Sequence, residues 1–137
     1  MSGDGTKTIA YVIRKLDPPI ASANAAEKIA VELAALKHET NELELRLAAA
    51  NGKRRINIDP GYLSAHSLIL ATTKQAAHRP YLGRGIYADL TYRFIRGGFE
   101  PLEWTYPDFR QPHVRRFFER LRQECLSMAV NKQAASV

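Results

Sequence analysis

Ile29, Leu33, Leu36, Leu43 and Leu47 recur at helical spacing, with Thr40 filling one place on the same stripe. No other stretch constrains the fold as strongly. Glu27, Glu32, Lys37, Glu39 and Glu42 occupy the other faces, and Glu42 with Arg46 is a favourable pair four residues apart. Asn24 and Glu27 have capping-box spacing at the start, and Asn51-Gly52 supplies the stop. An amphipathic helix of this kind has to bury its stripe against another element.

The rest of the chain offers strands. Thr8 to Arg14 is rich in β-formers and ends at Asp17-Pro18-Pro19. Arg54 to Ile58 alternates, with Ile56 and Ile58 on one face. Ile86 to Ile95 has strand composition, Gly97-Gly98 is a hairpin signal, and Phe99 to Trp104 returns. Asp59-Pro60-Gly61 reads as a turn leading into an amphipathic helix over Tyr62 to Gln75, carried by Leu63 and Leu70. Arg79 to Gly83 reads as extended or irregular, and Tyr106-Pro107-Asp108 as a turn. Pro112 to Leu126 is a last helix, with Val114, Phe117, Phe118 and Leu121 inward. The order β-α-β-α-β-β-α predicts an α+β fold, with a short, mainly antiparallel sheet and helices packed on one face. The expected layout is one domain over residues 8–128, a disordered start over 1–7 and a flexible tail over 129–137.

Charge narrows the partners. The 137 residues carry a formal net charge of +6. The excess collects after Asn51, mostly as arginine: Arg54, Arg55, Arg79, Arg84, Arg93, Arg96, Arg110, Arg115, Arg116, Arg120 and Arg122. The planar guanidinium fork suits phosphate and carboxylate, so a phosphorylated small molecule, nucleic acid or an acidic partner fits, although a solvated basic surface accounts for the same residues. No apolar run approaches the ~20 residues that span a bilayer. The opening MSGDGTKTIAYVIRK lacks the layout of a secretory signal. Cys125 is the single cysteine, so neither an internal disulfide nor a cysteine zinc site is available, which fits a cytoplasmic setting.

The candidate ligand-binding residues are Asp59, Gly61, His78, Arg79, Arg84 and Asp89. Asp59 is either a ligand at the end of a strand or an N-cap ahead of Pro60, and Gly61 lets N–H groups approach an anion. His78 and Arg79 precede Gly83-Arg84-Gly85, which clusters imidazole, guanidinium and turn glycines in one loop. Asp89 lies mid-strand on a face with Tyr87, Thr91 and Arg93, so solvation explains it as simply as pairing does. Asp59, His78 and Asp89 would be metal ligands only by converging, and no metal is assigned to them. Trp104, Tyr106 and Phe109 either stack a base beside arginines or close a core over a turn. Neither a P-loop nor a G-x-G-x-x-G fingerprint is present, and NKQA near the C-terminus does not supply a guanine-selective loop. The residues single out no reaction and no cofactor.

The blocks LKHETNELELRLAAANGKRRINIDPGYL, LATTK, HRPYLGRGIYADLTY and WTYPDF together resemble a prokaryotic family known as domain of unknown function 4416. The resemblance runs from about Leu33 into the last helix, and the family carries no assigned reaction. The chain departs from the family in two places. Family members are longer at the N-terminus, where a further strand-helix-strand portion precedes the region matching Thr8 to Leu16. Without that portion an exposed edge or apolar face is expected, with self-association as its consequence. At Asp89 the family more often has glutamate.

Three readings follow. The first is a cytoplasmic protein that binds an anionic, phosphorylated ligand such as a nucleotide at the six residues named above. The second is an RNA-associated protein using the arginine-rich second half. The third is a protein-interaction module with no small ligand.

Overall fold

A computed structural model describes residues 8–14, 23–53 and 56–135, and side chains within 30–53 and 56–127. The elements in chain order are β1 (Thr8–Arg14), α1 (Ala23–Arg46), β2 (Ile56–Leu63), β3 (Ser67–Thr72), β4 (Tyr81–Gly83), β5 (Ile86–Ile95), β6 (Gly98–Pro101), α2 (Pro107–Arg110) and α3 (Pro112–Ala135). They build one α+β domain. The six-stranded sheet has the order β1-β2-β3-β5-β4, and β6 pairs with the far half of β5. β1 and β2 are parallel, and every other pair is antiparallel. Among the described residues no helix is long and apolar enough to cross a membrane.

Strand β1, helix α1, strand β5 and the start of α3 lie where the residue patterns place them. The stretch after Ile58 does not. Asp59-Pro60-Gly61 is strand interior in β2, and Tyr62 to Gln75 is a hairpin and a third strand instead of a helix. Ser64 makes that hairpin. Its Oγ accepts from the N–H groups of His66 and Ser67 at 3.1 Å each, and its own N–H donates to Ser67 O at 2.9 Å. Leu63 and Leu70 are seven apart, which suits helix periodicity, but Leu68, Ile69, Leu70 and Ala71 alternate between two cores.

Pro60 is tolerated because β3 leaves the ladder before it. The Ser64–Ser67 bond sets the alternation, so Tyr62, Pro60 and Ile58 aim their backbone groups toward β3. Pairing with β3 ends at Gly61, opposite Leu70, so the absent proline N–H costs no ladder bond. Ile58 would then be left open, and α1 closes it. Lys37 Nζ donates to Ile58 O at 3.1 Å, and Ile58 N donates to Glu44 Oε1 at 2.7 Å. Lys37, Thr40 and Glu44 are all buried, whereas Leu43 and Leu47 are exposed. The inner stripe of α1 is thus Leu33, Ala34, Lys37, Thr40 and Glu44, polar in its second half. Ile29 lies outside the described side chains.

The helices flank both faces of the sheet, where one covered face was expected. On one face α1 packs Leu33 and Ala34 against Ala71 and Ile86, with Ile69 and Leu82 at the margin. On the other, Leu63, Leu68, Leu70, Tyr92 and Phe99 meet Phe109 of α2 and Phe118 of α3, with Val114, Leu121 and Cys125 beside them. Tyr92 is the hub, with ring centroids 5.5 Å from Phe99, 5.9 Å from Phe109 and 5.8 Å from Phe118. Tyr92 reaches this face through a β-bulge. Leu68 pairs with Tyr92 while Ile69 pairs with Leu90, so Thr91 is the extra residue and the side-chain alternation resets there. Asp89 and Tyr92 consequently share a face.

At the next turn, Arg96 and Gly97 take positive φ of 53° and 80°, the pair that a two-residue hairpin between twisted strands requires. Gly98 is already in β6, so the turn falls one place earlier than Gly97-Gly98 suggests. Tyr106 caps a short helix instead of a plain turn, and α3 continues to Ala135.

Candidate functional site

Three of the six candidate residues converge. Asp89 is buried in β5 on the face of the aromatic core, just beyond its end. The loop over residues 73–80 crosses that position. Arg79 Nε donates to Asp89 Oδ2 at 2.8 Å, and their side chains are 7% and 11% exposed. Arg79 also donates Nη1 to Lys74 O at 2.8 Å and Nη2 to Tyr106 Oη at 3.5 Å. Burial pulls this guanidinium toward neutrality. Its hydrogen bonds to Tyr106 and Asp89, with the Asp89 charge, outweigh that and raise its pKa above the ordinary arginine value. Arg79 is a permanent cation whose donors are largely committed.

His78 completes the cluster. Its ring stacks on Trp104 with centroids 4.5 Å apart and planes 17° apart. Trp104 is anchored in turn, donating Nε1 to Leu90 O at 2.7 Å. His78 Nε2 points at Asp89 Oδ2 from 3.6 Å, beyond a hydrogen bond, and is buried with no hydrogen-bond partner. The side chain stays 24% exposed although Nε2 itself is buried. Tyr106, at the other side of Arg79, is 54% exposed. Its hydroxyl accepts from Arg79 and keeps its own O–H free to donate.

The other three candidates lie apart. Gly61 pairs with Leu70, and Leu70 with Asp89, so Gly61 and Asp89 share a row two strands apart, roughly 10 Å. Asp59 is two residues further along β2, held by Asn57 Nδ2 at 2.9 Å and Lys37 Nζ at 3.5 Å. It is neither an N-cap nor a neighbour of His78. Arg84 sits at the β4–β5 turn, its side chain exposed. Asp59, His78 and Asp89 therefore do not assemble as ligands, and no group of three or more His, Cys, Asp or Glu among the described residues is placed to hold a metal ion.

The arginine excess divides by role. Arg115 Nε donates to Phe99 O at 2.9 Å and Arg110 Nε to Thr105 O at 2.9 Å. Arg122 Nε donates to Ala65 O at 2.8 Å while its guanidinium lies 3.4 Å from the Phe94 ring centroid. With Arg79, these side chains close loops onto the sheet. Among the described residues, Arg84, Arg93, Arg96, Arg116 and Arg120 are exposed and add to the accessible positive surface.

Asp89 is reached by no rule of alternation, since only the loop above the sheet buries it. Trp104 and Tyr106 carried a readable signal as aromatics beside arginines, but their contacts to His78 and Arg79 span the hairpin and the chain reversal after it. Lys37 and Glu44 gave none, because on helix periodicity alone they belong with the charged faces.

A family model described as a domain of unknown function (DUF4416) matches residues 22–125. No curated protein and no solved structure matches the chain.

Proposed function

We propose that this chain, which belongs to the DUF4416 family, binds a phosphorylated ligand such as a nucleotide over the His78–Arg79–Asp89 cluster. The observation that carries the reading is the His78–Asp89 contact, held at 3.6 Å with Nε2 buried and unbonded. An imidazole N–H donates to an anion that docks against the ring, and the 3.6 Å gap to Asp89 leaves the ring room to adjust. Hydrogen bonds in an unliganded site are often long and tighten only when the ligand arrives. Tyr106 donates its O–H to the same anion, and Arg79 braces Tyr106 and Asp89 from behind. Arg79 itself serves as a positioning residue, since each of its three nitrogens already donates to an acceptor within the protein. The six-residue site read from the chain thereby contracts to His78 and Tyr106 as contacts, with Arg79, Asp89 and Trp104 as support. The setting that fits is the cytoplasm of a prokaryote, where such ligands are abundant.

A thermal-shift panel of inorganic phosphate, sugar phosphates and mono-, di- and triphosphate nucleotides tests this. A ligand at about 100 times its Kd adds about 2.7 kcal/mol of stability. A folded sample that shifts with none of them overturns the reading.

A further inference from the structure

The β4–β5 turn plays no part in that site. Gly83, Arg84 and Gly85 all have positive φ, at 109°, 54° and 79°. Glycine enters that region freely and arginine does not, so Arg84 is held there by its surroundings. Two bonds hold it. His38 Nε2 of α1 lies 2.8 Å from Arg84 O, and Gly85 N donates to Tyr81 Oη at 2.9 Å. The second bond also fixes Tyr81. Its ring packs on Tyr87, centroids 5.1 Å apart and planes 55° apart, while the residue remains 60% exposed. Tyr81 pairs with Tyr87, and Tyr87 with Thr72, which sets both rings on the sheet face opposite α1.

An exposed ring pinned at its hydroxyl and along its edge has little freedom left to lose on binding. Beside it stands an arginine on a clamped turn. We propose that this turn binds single-stranded nucleic acid, with Tyr81 stacking on a base and Arg84 pairing with the neighbouring phosphate. Sequence-tolerant single-strand binding uses this combination of an aromatic face and a fixed cation. The net charge of +6 adds a general attraction to the backbone. Duplex nucleic acid keeps its base faces stacked inside and gives Tyr81 nothing to cover. An acidic protein segment would engage Arg84 but has no flat partner for the ring.

The test is fluorescence anisotropy of the full chain with a labelled oligouridine of about twelve nucleotides at low salt. The wild type is expected to bind, with affinity falling as salt rises. Tyr81→Ala should weaken binding about tenfold or more, and Tyr81→Phe far less, since it keeps the ring. Arg84→Gly, which suits the left-handed turn, should weaken binding severalfold and reduce the log–log salt slope by about 0.7. Both Tyr81→Ala and Arg84→Gly should keep any thermal shift given by phosphorylated small ligands, so this proposal and the His78 site fail separately. No binding at low salt, equal binding by these two variants and wild type, or equal competition by a duplex of the same length would each overturn it.

Discussion

Arg79 Nε and Asp89 Oδ2 lie 2.8 Å apart, and through this pair the 73–80 loop is tied to strand β5 beneath it. Because both side chains are almost wholly buried, removing either leaves the other charge without its partner. Asp89→Ala and Arg79→Ala should each cost about 2–4 kcal/mol in urea denaturation. The double variant should lose less than the two costs added, by at least about 1 kcal/mol, since one interaction is being counted twice. Arg79→Lys keeps the charge but not the fork that also reaches Lys74 O and Tyr106, and should cost about 1–2 kcal/mol. Additive losses would show that the pair is not coupled.

Lys37 and Glu44 seal the open edge of β2 at Ile58. Lys37→Met keeps the length of the stem but strands a buried carbonyl, and should cost about 2–3 kcal/mol. Glu44→Gln still offers an oxygen to the Ile58 N–H and should cost less than Glu44→Leu, which offers none. Paired denaturation curves of these two variants decide it, and equal losses would mean that Glu44 Oε1 is not what satisfies Ile58.

That same pair marks where the sequence stops being legible. The apolar repeat located α1 well, because helix periodicity depends on local spacing. Its buried stripe shifted toward Lys37 and Glu44 because β2 needed donors and acceptors there, a demand set by Ile58, 21 residues beyond Lys37 and 14 beyond Glu44. Asp59-Pro60-Gly61 has every local mark of a turn, yet runs straight through β2 because β3 diverges before Pro60. Local chemistry lost to tertiary pairing. The meeting of His78, Arg79 and Asp89 was legible only as a possibility. Loop and strand are joined there by side chains, and no spacing rule carries that information.

Gly98 and Glu119 form a second junction. Glu119 Oε2 accepts from Phe99 N at 2.7 Å and lies 2.9 Å from where a Cβ on Gly98 would stand. Gly98→Ala should push that carboxylate aside and cost about 1–2 kcal/mol, close to the loss from Glu119→Ala. Thermal denaturation of the two single variants and their double checks this. The double should be little worse than either alone.

Tyr62 supplies a pH dependence. Burial raises its pKa above the usual 10.0. A raised folded-state value means that its contribution is whole below the unfolded value and is lost as pH climbs toward the folded one. Denaturation midpoints should therefore fall more steeply above about pH 10 in the wild type than in Tyr62→Phe. Parallel curves would remove Tyr62 as the cause.

The central claim is that an anion docks on His78 and Tyr106 over the Arg79–Asp89 brace. Isothermal titration with a nucleotide found by the thermal-shift panel, on wild type and on Tyr106→Phe, tests it most directly. Tyr106→Phe removes one donor and leaves the ring, so binding should weaken about fivefold, the worth of one neutral hydrogen bond. Equal affinity in the two proteins would contradict the account.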